Sequence, residues 1–151
     1  MKCLESSYWV NYKEKGETIM EKTLVLIKPD AVEKKLVGRI LGMYEENGLV
    51  IENIYMKHVD ETLLSKHYEE HIGRDFYPSL VEFMSSAPIF AVLVSGKRAV
   101  EKVRHINGAT NPKNASPNTI RALFGTDVQR NCVHGSASVE EAEREVTIWF
   151  G

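Results

Sequence analysis

Two short apolar runs limit the folds that are open to this chain: TLVLIK at residues 23–28 and IFAVLV at residues 89–94. The first is rich in apolar and β-branched side chains, and the second is continuously apolar. This pattern is typical of strands that are covered on both faces. Pro29 ends the first run because proline cannot donate to a β-ladder, and Gly96 is expected to end the second. The sequence therefore predicts a sheet with central, buried strands.

Segments with helical spacing of apolar side chains alternate with the predicted strands. Helices are predicted over residues 36–47, 61–71, 78–84, 99–106, 119–124 and 139–149, and further strands over residues 49–59 and 132–134. Asp60 and Ser138 stand where N-caps are needed, and Glu141 completes a capping box with Ser138. This order of elements predicts an α+β layer structure.

Length and charge narrow the class of protein further. A chain of 151 residues with 43% hydrophobic side chains suits one core. Its formal charge of -2 supplies no basic field for nucleic acid, which is therefore a disfavoured partner, so a phosphate site has to be local. No apolar run approaches the ~18 residues of a membrane span. Two cysteines, Cys3 and Cys132, make no disulfide framework, so a cytoplasmic location is expected.

Residues 1–19 show neither helical nor strand periodicity, and Met20 stands directly before the first strand. They are interpreted as a flexible N-terminal extension, and residues 20–151 as the folded domain. The start of the chain also lacks the apolar stretch of a signal peptide, so export is not expected.

Most histidines carry no clear chemical signal. His67 and His71 lie one helical turn apart, which is compatible with a metal pair, but a solvated helix face is the preferred interpretation for both. The same interpretation holds for His58 and His105. His134 differs because it follows a predicted strand and precedes Gly-Ser-Ala-Ser, where backbone could approach a ligand closely. Composition alone would still favour a structural role for it.

Several separated blocks resemble the nucleoside diphosphate kinase family over residues 21–151. The blocks are IKPDAV at 27–32, HYEEH and GRDFY within 67–77, GATNP at 108–112, TIR at 119–121 and NCVHGS at 131–136. Phosphate-loop and dinucleotide glycine motifs are absent from the sequence. The resemblance implies a ferredoxin-like fold, with a four-stranded antiparallel sheet covered by helices, which agrees with the α+β prediction.

The resemblance also implies an activity. Family members transfer the γ-phosphoryl group from a nucleoside triphosphate such as ATP to a nucleoside diphosphate by a ping-pong mechanism, and His134 matches the histidine that becomes phosphorylated. A neutral imidazole is nucleophilic near physiological pH. Glu145 matches the carboxylate that bonds the other ring nitrogen, and Tyr68 matches a hydrogen-bond donor to the phosphoryl group. With Lys28, these are the expected catalytic residues.

A nucleotide-binding set follows from the same resemblance. It comprises Lys28, Phe76, Leu80, Arg104, Thr110, Arg121, Val128 and Asn131. Phe76 matches the aromatic that stacks on the base, with Leu80 and Val128 as apolar walls, so purines and pyrimidines are both expected to bind. Mg²⁺ is expected to arrive on the nucleotide phosphates, with no dedicated protein cage. A homo-oligomer, hexamer or tetramer, is implied.

Two positions depart from the family pattern. Ala137 stands where the family has aspartate, for which a stability effect of about 1 kcal/mol is expected. Asp75 stands where the family has proline, which is expected to loosen the helical hairpin over the nucleotide. These departures keep a second hypothesis open, a catalytically weak relative that senses nucleotides or binds a protein. Steady-state transfer from ATP to GDP discriminates between the two.

Overall fold

The protein is represented by a computed structural model that describes residues 20–151, so the predicted extension at residues 1–19 lies outside the described residues. The strands are β1 (Met20–Ile27), β2 (Val50–Lys57), β3 (Ile89–Lys97) and β4 (Val133–Gly135). They form one antiparallel sheet in the order β2-β3-β1-β4. The helices are α1 (Pro29–Glu33), α2 (Val37–Glu46), α3 (Glu61–His67), α4 (Tyr77–Met84), α5 (Ala99–Asn107), α6 (Ile120–Phe124) and α7 (Val139–Phe150).

Both predicted apolar runs form inner strands of this sheet. Alternate side chains of β1 point to opposite faces: Val25 packs in a core under α2 and α5, whereas Leu24 packs in a core under α3, α4 and α7. Because helices cover both faces, neither strand needs a polar side. The predicted α+β, ferredoxin-like layer structure is confirmed.

Local capping agrees with the sequence prediction at two helices. The Asp60 carboxylate accepts from the Leu63 N–H at 2.9 Å, and Ser138 Oγ accepts from the Glu141 N–H at 3.1 Å. The Glu141 side chain instead accepts from Arg144 at 3.0 Å. Among the hydrogen bonds of residues 20–151, the capping box at α7 is therefore present in its serine half only.

Several element boundaries differ from the prediction, and three of the differences have a structural reason. Pro29 ends β1 but also begins a short helix, α1, because proline suits the first helical turn. The expected end of β3 at Gly96 is wrong, since Gly96 pairs with Glu21 and β3 continues to Lys97. A Cβ there would lie 2.8 Å from Leu49 Cδ2, so this glycine permits a close approach inside the sheet. The helix predicted over 61–71 ends at His67, and a 3₁₀ turn follows at Glu69–His71.

Within residues 20–151, the helices are too short and too polar to cross a membrane.

Candidate active site

A cavity of about 630 Å³ brings the predicted nucleotide-binding residues together. Its lining includes Lys28, Tyr68, Phe76, Leu80, Arg104, Thr110, Arg121, Val128, Asn131 and His134. Glu145 lies behind His134, buried on α7. The described lining residues include three cations and no aspartate or glutamate. Such a cavity favours a polyanionic ligand.

His134 is presented to this cavity by the short strand β4. It pairs with Leu26 of β1, so a buried central strand fixes its backbone. The next residue, Gly135, lies against α5: an added Cβ would be 2.8 Å from Asn107 Nδ2 and 2.9 Å from Val103 Cγ1. Glycine is therefore needed for the close approach of β4 to α5, which places the imidazole at the cavity wall.

The chain enters β4 through a strained residue. Cys132 has a φ of 74°, in the left-handed region that ordinary side chains rarely adopt. Its N–H donates to Asp30 Oδ2 at 3.0 Å, and its carbonyl accepts from the Lys28 N–H at 2.8 Å. These bonds hold the turn that aims His134, and strain of this kind is typical of functional sites.

His134 and Glu145 form the central contact of the site. The distance from His134 Nε2 to Glu145 Oε1 is 2.8 Å, and Ser136 Oγ donates to the same oxygen at 2.7 Å. Burial raises the pKa of Glu145, but the hydrogen bond and charge of His134, the charge of His67 and the hydrogen bond of Ser136 outweigh it and hold that pKa at about 2. Glu145 is therefore a carboxylate that accepts the Nε2 proton, so the lone pair of the neutral His134 ring is on Nδ1.

Lys28 projects into the cavity from the end of β1. Its ammonium donates to Asn131 Oδ1 at 2.8 Å and to the Gln129 carbonyl. Burial lowers the pKa of Lys28 to about 8, against the opposing effect of Asp30. The side chain is therefore a cation at neutral pH that loses its proton at moderately alkaline pH.

Asn131 joins three parts of the cavity. Its Nδ2 donates to the Thr110 carbonyl at 2.9 Å and to the Val128 carbonyl at 3.0 Å, while its Oδ1 accepts from Lys28. Both amide protons are thus used within the protein. This buried side chain positions two loops of the site in addition to meeting any ligand.

Arg121 is held rigidly at the cavity wall. Its Nη1 donates to the Gly108 carbonyl and its Nη2 to the Val133 carbonyl, both at 2.7 Å. Its Nε is buried without a hydrogen-bond partner. Arg104 and Thr110 are exposed on the same lining. The exposed Arg104 and Thr110 side chains can donate to phosphate oxygens.

An apolar slot lies at another part of the lining. Phe76 is 50% and Val128 59% exposed, although both are large hydrophobic side chains, whereas Leu80 is buried beside them in the lining. The Phe76 ring meets the edge of His71 with centroids 5.2 Å apart. An exposed aromatic face with apolar neighbours suits a planar ligand group.

The expectation of a solvated His67 is wrong. His67 is 3% exposed, its ring lies 4.5 Å from the ring of His134 at an interplanar angle of 80°, and its Nδ1 accepts from Trp149 Nε1 at 3.0 Å. The physical reason is that the inner face of α3 packs on α7. Its position directly before Tyr68, in a block with family resemblance, was the available signal. His58 and His105 are exposed as predicted.

His67, His134 and Glu145 each offer one atom of a kind that can bind a metal ion, a ring nitrogen or a carboxylate oxygen, and these atoms lie within 4.8 Å of one another. Two hydrogen bonds already use this cluster, one from Trp149 to His67 and one between His134 and Glu145. We therefore describe it as a hydrogen-bonded trio behind the cavity.

Comparison with known proteins identifies the family. The family model described as "Nucleoside diphosphate kinase" matches residues 21–151. The chain belongs to this family. Nucleoside diphosphate kinases of Cutibacterium acnes and Mycobacterium avium are 47% and 48% identical to it over 130 and 131 residues, which are 86% of this chain and 94% and 96% of theirs.

Solved structures agree with this assignment. The nucleoside diphosphate kinase of Aquifex aeolicus has a TM-score of 0.84 at 39% identity, covering 87% of this chain and 96% of that one. That of Encephalitozoon cuniculi has a TM-score of 0.84 at 37% identity, covering 86% and 88%. The predicted family, fold and enzyme class are confirmed: this nucleoside diphosphate kinase is a phosphotransferase of nucleotide metabolism.

Proposed function

We propose that this kinase uses His134 as the phosphoryl carrier between a nucleoside triphosphate, such as ATP, and a nucleoside diphosphate. The observation that carries the proposal is the 2.8 Å contact of His134 Nε2 with the Glu145 carboxylate. It supports a ring proton on Nε2 and a nucleophilic Nδ1 that faces a cavity lined by cations.

The reaction then proceeds in two balanced half-reactions. Nδ1 attacks the γ-phosphorus in line, the bond to the bridging oxygen breaks, and its electron pair leaves with the nucleoside diphosphate. The phosphorylated ring keeps its Nε2 proton and gains positive charge, which the Glu145 carboxylate offsets. A different diphosphate enters the cavity and its terminal oxygen takes the phosphoryl group, which restores neutral His134.

Donors around the cavity would stabilise the transferring group. Arg104, Thr110 and Arg121 face it as phosphate-binding groups, and Lys28 and Asn131 serve the ribose hydroxyls and the phosphate tail. Burial, with the Glu145 carboxylate, raises the pKa of Tyr68. Its phenol therefore stays protonated and donates to the phosphoryl oxygens.

The base would lie in the slot of Phe76, Leu80 and Val128. A ring face and two aliphatic walls offer no hydrogen-bond pattern that would separate purines from pyrimidines. Broad use of nucleoside diphosphates follows.

Mg²⁺ would accompany the nucleotide. The ion prefers several oxygen ligands, and the lining within residues 20–151 supplies no carboxylate for a protein cage, so nucleotide phosphates would hold it. When bound there, it neutralises charge on the phosphate oxygens. Lys28, Arg104 and Arg121 would complete that neutralisation from the protein side.

A homo-oligomer, tetramer or hexamer, fits the exposed sheet edge. β2 is an outer strand, and apolar side chains on it are open to solvent: Val50, Ile54 and Met56. An unpaired edge with this composition is suited to pairing with a second copy. Light scattering after gel filtration would measure the subunit count, and Ile54→Lys is expected to lower it. A monomeric parent protein would contradict the assembly.

The domain limits and the compartment are proposals of the same kind. Residues 20–151 would fold without residues 1–19, and a truncated protein with unchanged melting temperature would support this.

The cytoplasm is proposed because the nucleotides are found there and because Cys132 is a free, buried thiol. Cell fractionation with an antibody tests it, and recovery of the protein outside the cytosol would contradict it.

The decisive experiment for the carrier uses labelled ATP with Mg²⁺. The protein should acquire acid-labile phosphate that any added nucleoside diphosphate discharges, and His134→Ala should abolish it. His105→Ala is the matched control because His105 is exposed on α5, outside the cavity lining. A well-folded parent protein without this intermediate would overturn the carrier role. Negligible ATP to GDP transfer would instead favour the nucleotide-sensing alternative.

A further inference from the structure

The tautomer of His67 is set from the C-terminal helix. Trp149 Nε1 lies 3.0 Å from His67 Nδ1, and both side chains are buried. An indole N–H can only donate, so Nδ1 must present its lone pair. The neutral His67 ring therefore carries its proton on Nε2.

His67 is close enough to the carrier pair for its charge to matter. Its ring stands edge to face with the ring of His134, with centroids 4.5 Å apart, and one of its nitrogens lies within 4.8 Å of a Glu145 carboxylate oxygen. At such distances inside a protein, a unit charge acts strongly on its neighbours.

We propose that Trp149 is a positioning residue that acts through His67: the indole bond keeps His67 neutral, with its proton on Nε2, so that His67 does not compete with His134 for the Glu145 carboxylate. A second proton on His67 would have to bind Nδ1, where the Trp149 N–H already points. The inference rests on the proposed role of His134 as phosphoryl carrier.

On balance, the groups that face His67 also favour the neutral ring. They are His134 on β4, Glu145 and Arg144 on α7, His71 on the 3₁₀ turn and Tyr68 beside it. Burial, followed by the charges of His134, Arg144 and His71, lowers the pKa of His67 to about 3, against the opposing effect of Glu145. Burial and the indole bond therefore act in the same direction.

The benefit lies in the phosphoryl-transfer step. When Nδ1 of His134 attacks phosphorus, positive charge develops on its ring and Glu145 offsets it. A protonated His67 would compete for the same carboxylate and place a like charge 4.5 Å from the reacting ring. A neutral His67 removes that competition without leaving a gap in the packing.

The test combines a spectroscopic and a kinetic readout. Nitrogen-15 NMR of labelled histidine should show His67 with its proton on Nε2 in the parent protein, and a mixture of tautomers in Trp149→Phe. The rate of His134 phosphorylation by ATP, measured by rapid quench against pH, should have its acid limb about half a pH unit higher in Trp149→Phe. Changing His67 to glutamine in the same protein, which places a non-titrating amide at that position, should restore the original limb.

Tyr55→Phe is the matched control, because the Tyr55 hydroxyl donates to the Trp149 backbone carbonyl, whereas His67 is bonded by the Trp149 indole. It should leave tautomer and pH profile unchanged. The proposal is overturned by an Nδ1 proton on His67 in the parent protein. It is also overturned if the acid limb of Trp149→Phe does not shift, or if the shift remains when His67 is also changed to glutamine. If Trp149→Phe fails to fold, the parent spectrum decides. A parent protein without phosphoenzyme would remove the proposed function, whereas the tautomer would still be measured.

Discussion

The Lys28 ammonium donates a 2.8 Å hydrogen bond to Asn131 Oδ1, although the two residues are 103 positions apart in the chain. Strand β1 and the turn before β4 bring them to one wall of the cavity. Burial at this position holds the pKa of Lys28 at about 8, below its ordinary value of 10.5. The charge that would meet the nucleotide is therefore lost at moderately alkaline pH.

The first prediction concerns this charge. As pH rises through about 8, Lys28 loses its proton, so kcat/KM for the nucleotide should fall about tenfold per pH unit. Lys28→Arg keeps its charge at that pH, and its alkaline limb should move upward even if its maximal rate is lower. Steady-state kinetics between pH 7 and pH 10 measure the alkaline limb of kcat/KM in both proteins. Identical limbs would contradict the assignment of this limb to Lys28.

The second prediction concerns Glu145. Glu145→Gln removes the negative charge that offsets the His134 ring, so the phosphorylation rate should fall about 10- to 100-fold with little change in nucleotide affinity. Glu143→Gln is the control because Glu143 is an exposed residue of the same helix. Single-turnover kinetics give the rate, and an equal loss in both variants would point to a general change in α7.

The third prediction concerns stability in acid. The folded pKa of Glu145 is about 2, below its ordinary value of 4.5. The folded state thus binds fewer protons than the unfolded state between these values, so the stabilisation is present above about pH 4.5 and is lost as pH falls through about 2.

Over that range the parent protein should lose about 2 kcal/mol more free energy of unfolding than Glu145→Gln does. Urea titrations at several pH values measure the difference. Parallel stability curves for the two proteins would contradict it.

The fourth prediction concerns the turn before α4. The Tyr77 N–H donates to the Arg74 carbonyl at 3.0 Å, which places Asp75 at the second position of a turn, where proline is favoured. Asp75→Pro should raise the free energy of unfolding by about 0.4–1 kcal/mol and lower KM for the nucleotide, because Phe76 follows directly. Glu70→Ala, at an exposed residue of the preceding 3₁₀ turn, is the control and should change neither quantity. A higher KM in Asp75→Pro would show that the turn needs freedom that proline removes.

The fifth prediction concerns the glycine after His134. Gly135→Ala places a Cβ within 3 Å of Asn107 and Val103, so it should cost about 1–3 kcal/mol and lower the phosphorylation rate. Gly38→Ala is the matched control, since that helical glycine has nothing within 4 Å of an added Cβ, and it should be neutral or stabilising. Thermal melts with a phosphoenzyme assay measure both. An active, stable Gly135→Ala would show that β4 shifts freely.

The local pattern predicted most elements because their causes are local. The apolar runs become β1 and β3, and Asp60 and Ser138 cap helices as expected. The prediction failed at Gly96, where pairing with Glu21 across the sheet extends β3. The sequence does not distinguish a glycine that permits a close approach from a glycine that ends a strand. Here the distinction is made by Leu49, which lies next to Gly96 only in the folded protein.

The site residues also divide into features that the sequence predicts and features that only packing decides. The resemblance of separated sequence blocks to the family predicted the cavity residues, and the fold places them on one lining. The bonds that fix Asn131 to the Thr110 carbonyl, and Arg121 to the carbonyls of Gly108 and Val133, appear only in three dimensions. Hydrogen bonds between distant segments depend on packing, which no short pattern contains.

The amino-acid sequence by itself determined most of the strands and helices and the family, and it predicted His134 as the carrier histidine, because periodicity, capping and motif blocks are properties of neighbouring residues. Only the tertiary structure decided the environment of that histidine. His67 was interpreted as solvated, yet the packing of α3 on α7 buries it between His134 and Trp149, 82 positions further along the chain. The burial and hydrogen bonding that set its proton arise from contacts made only when the two helices meet.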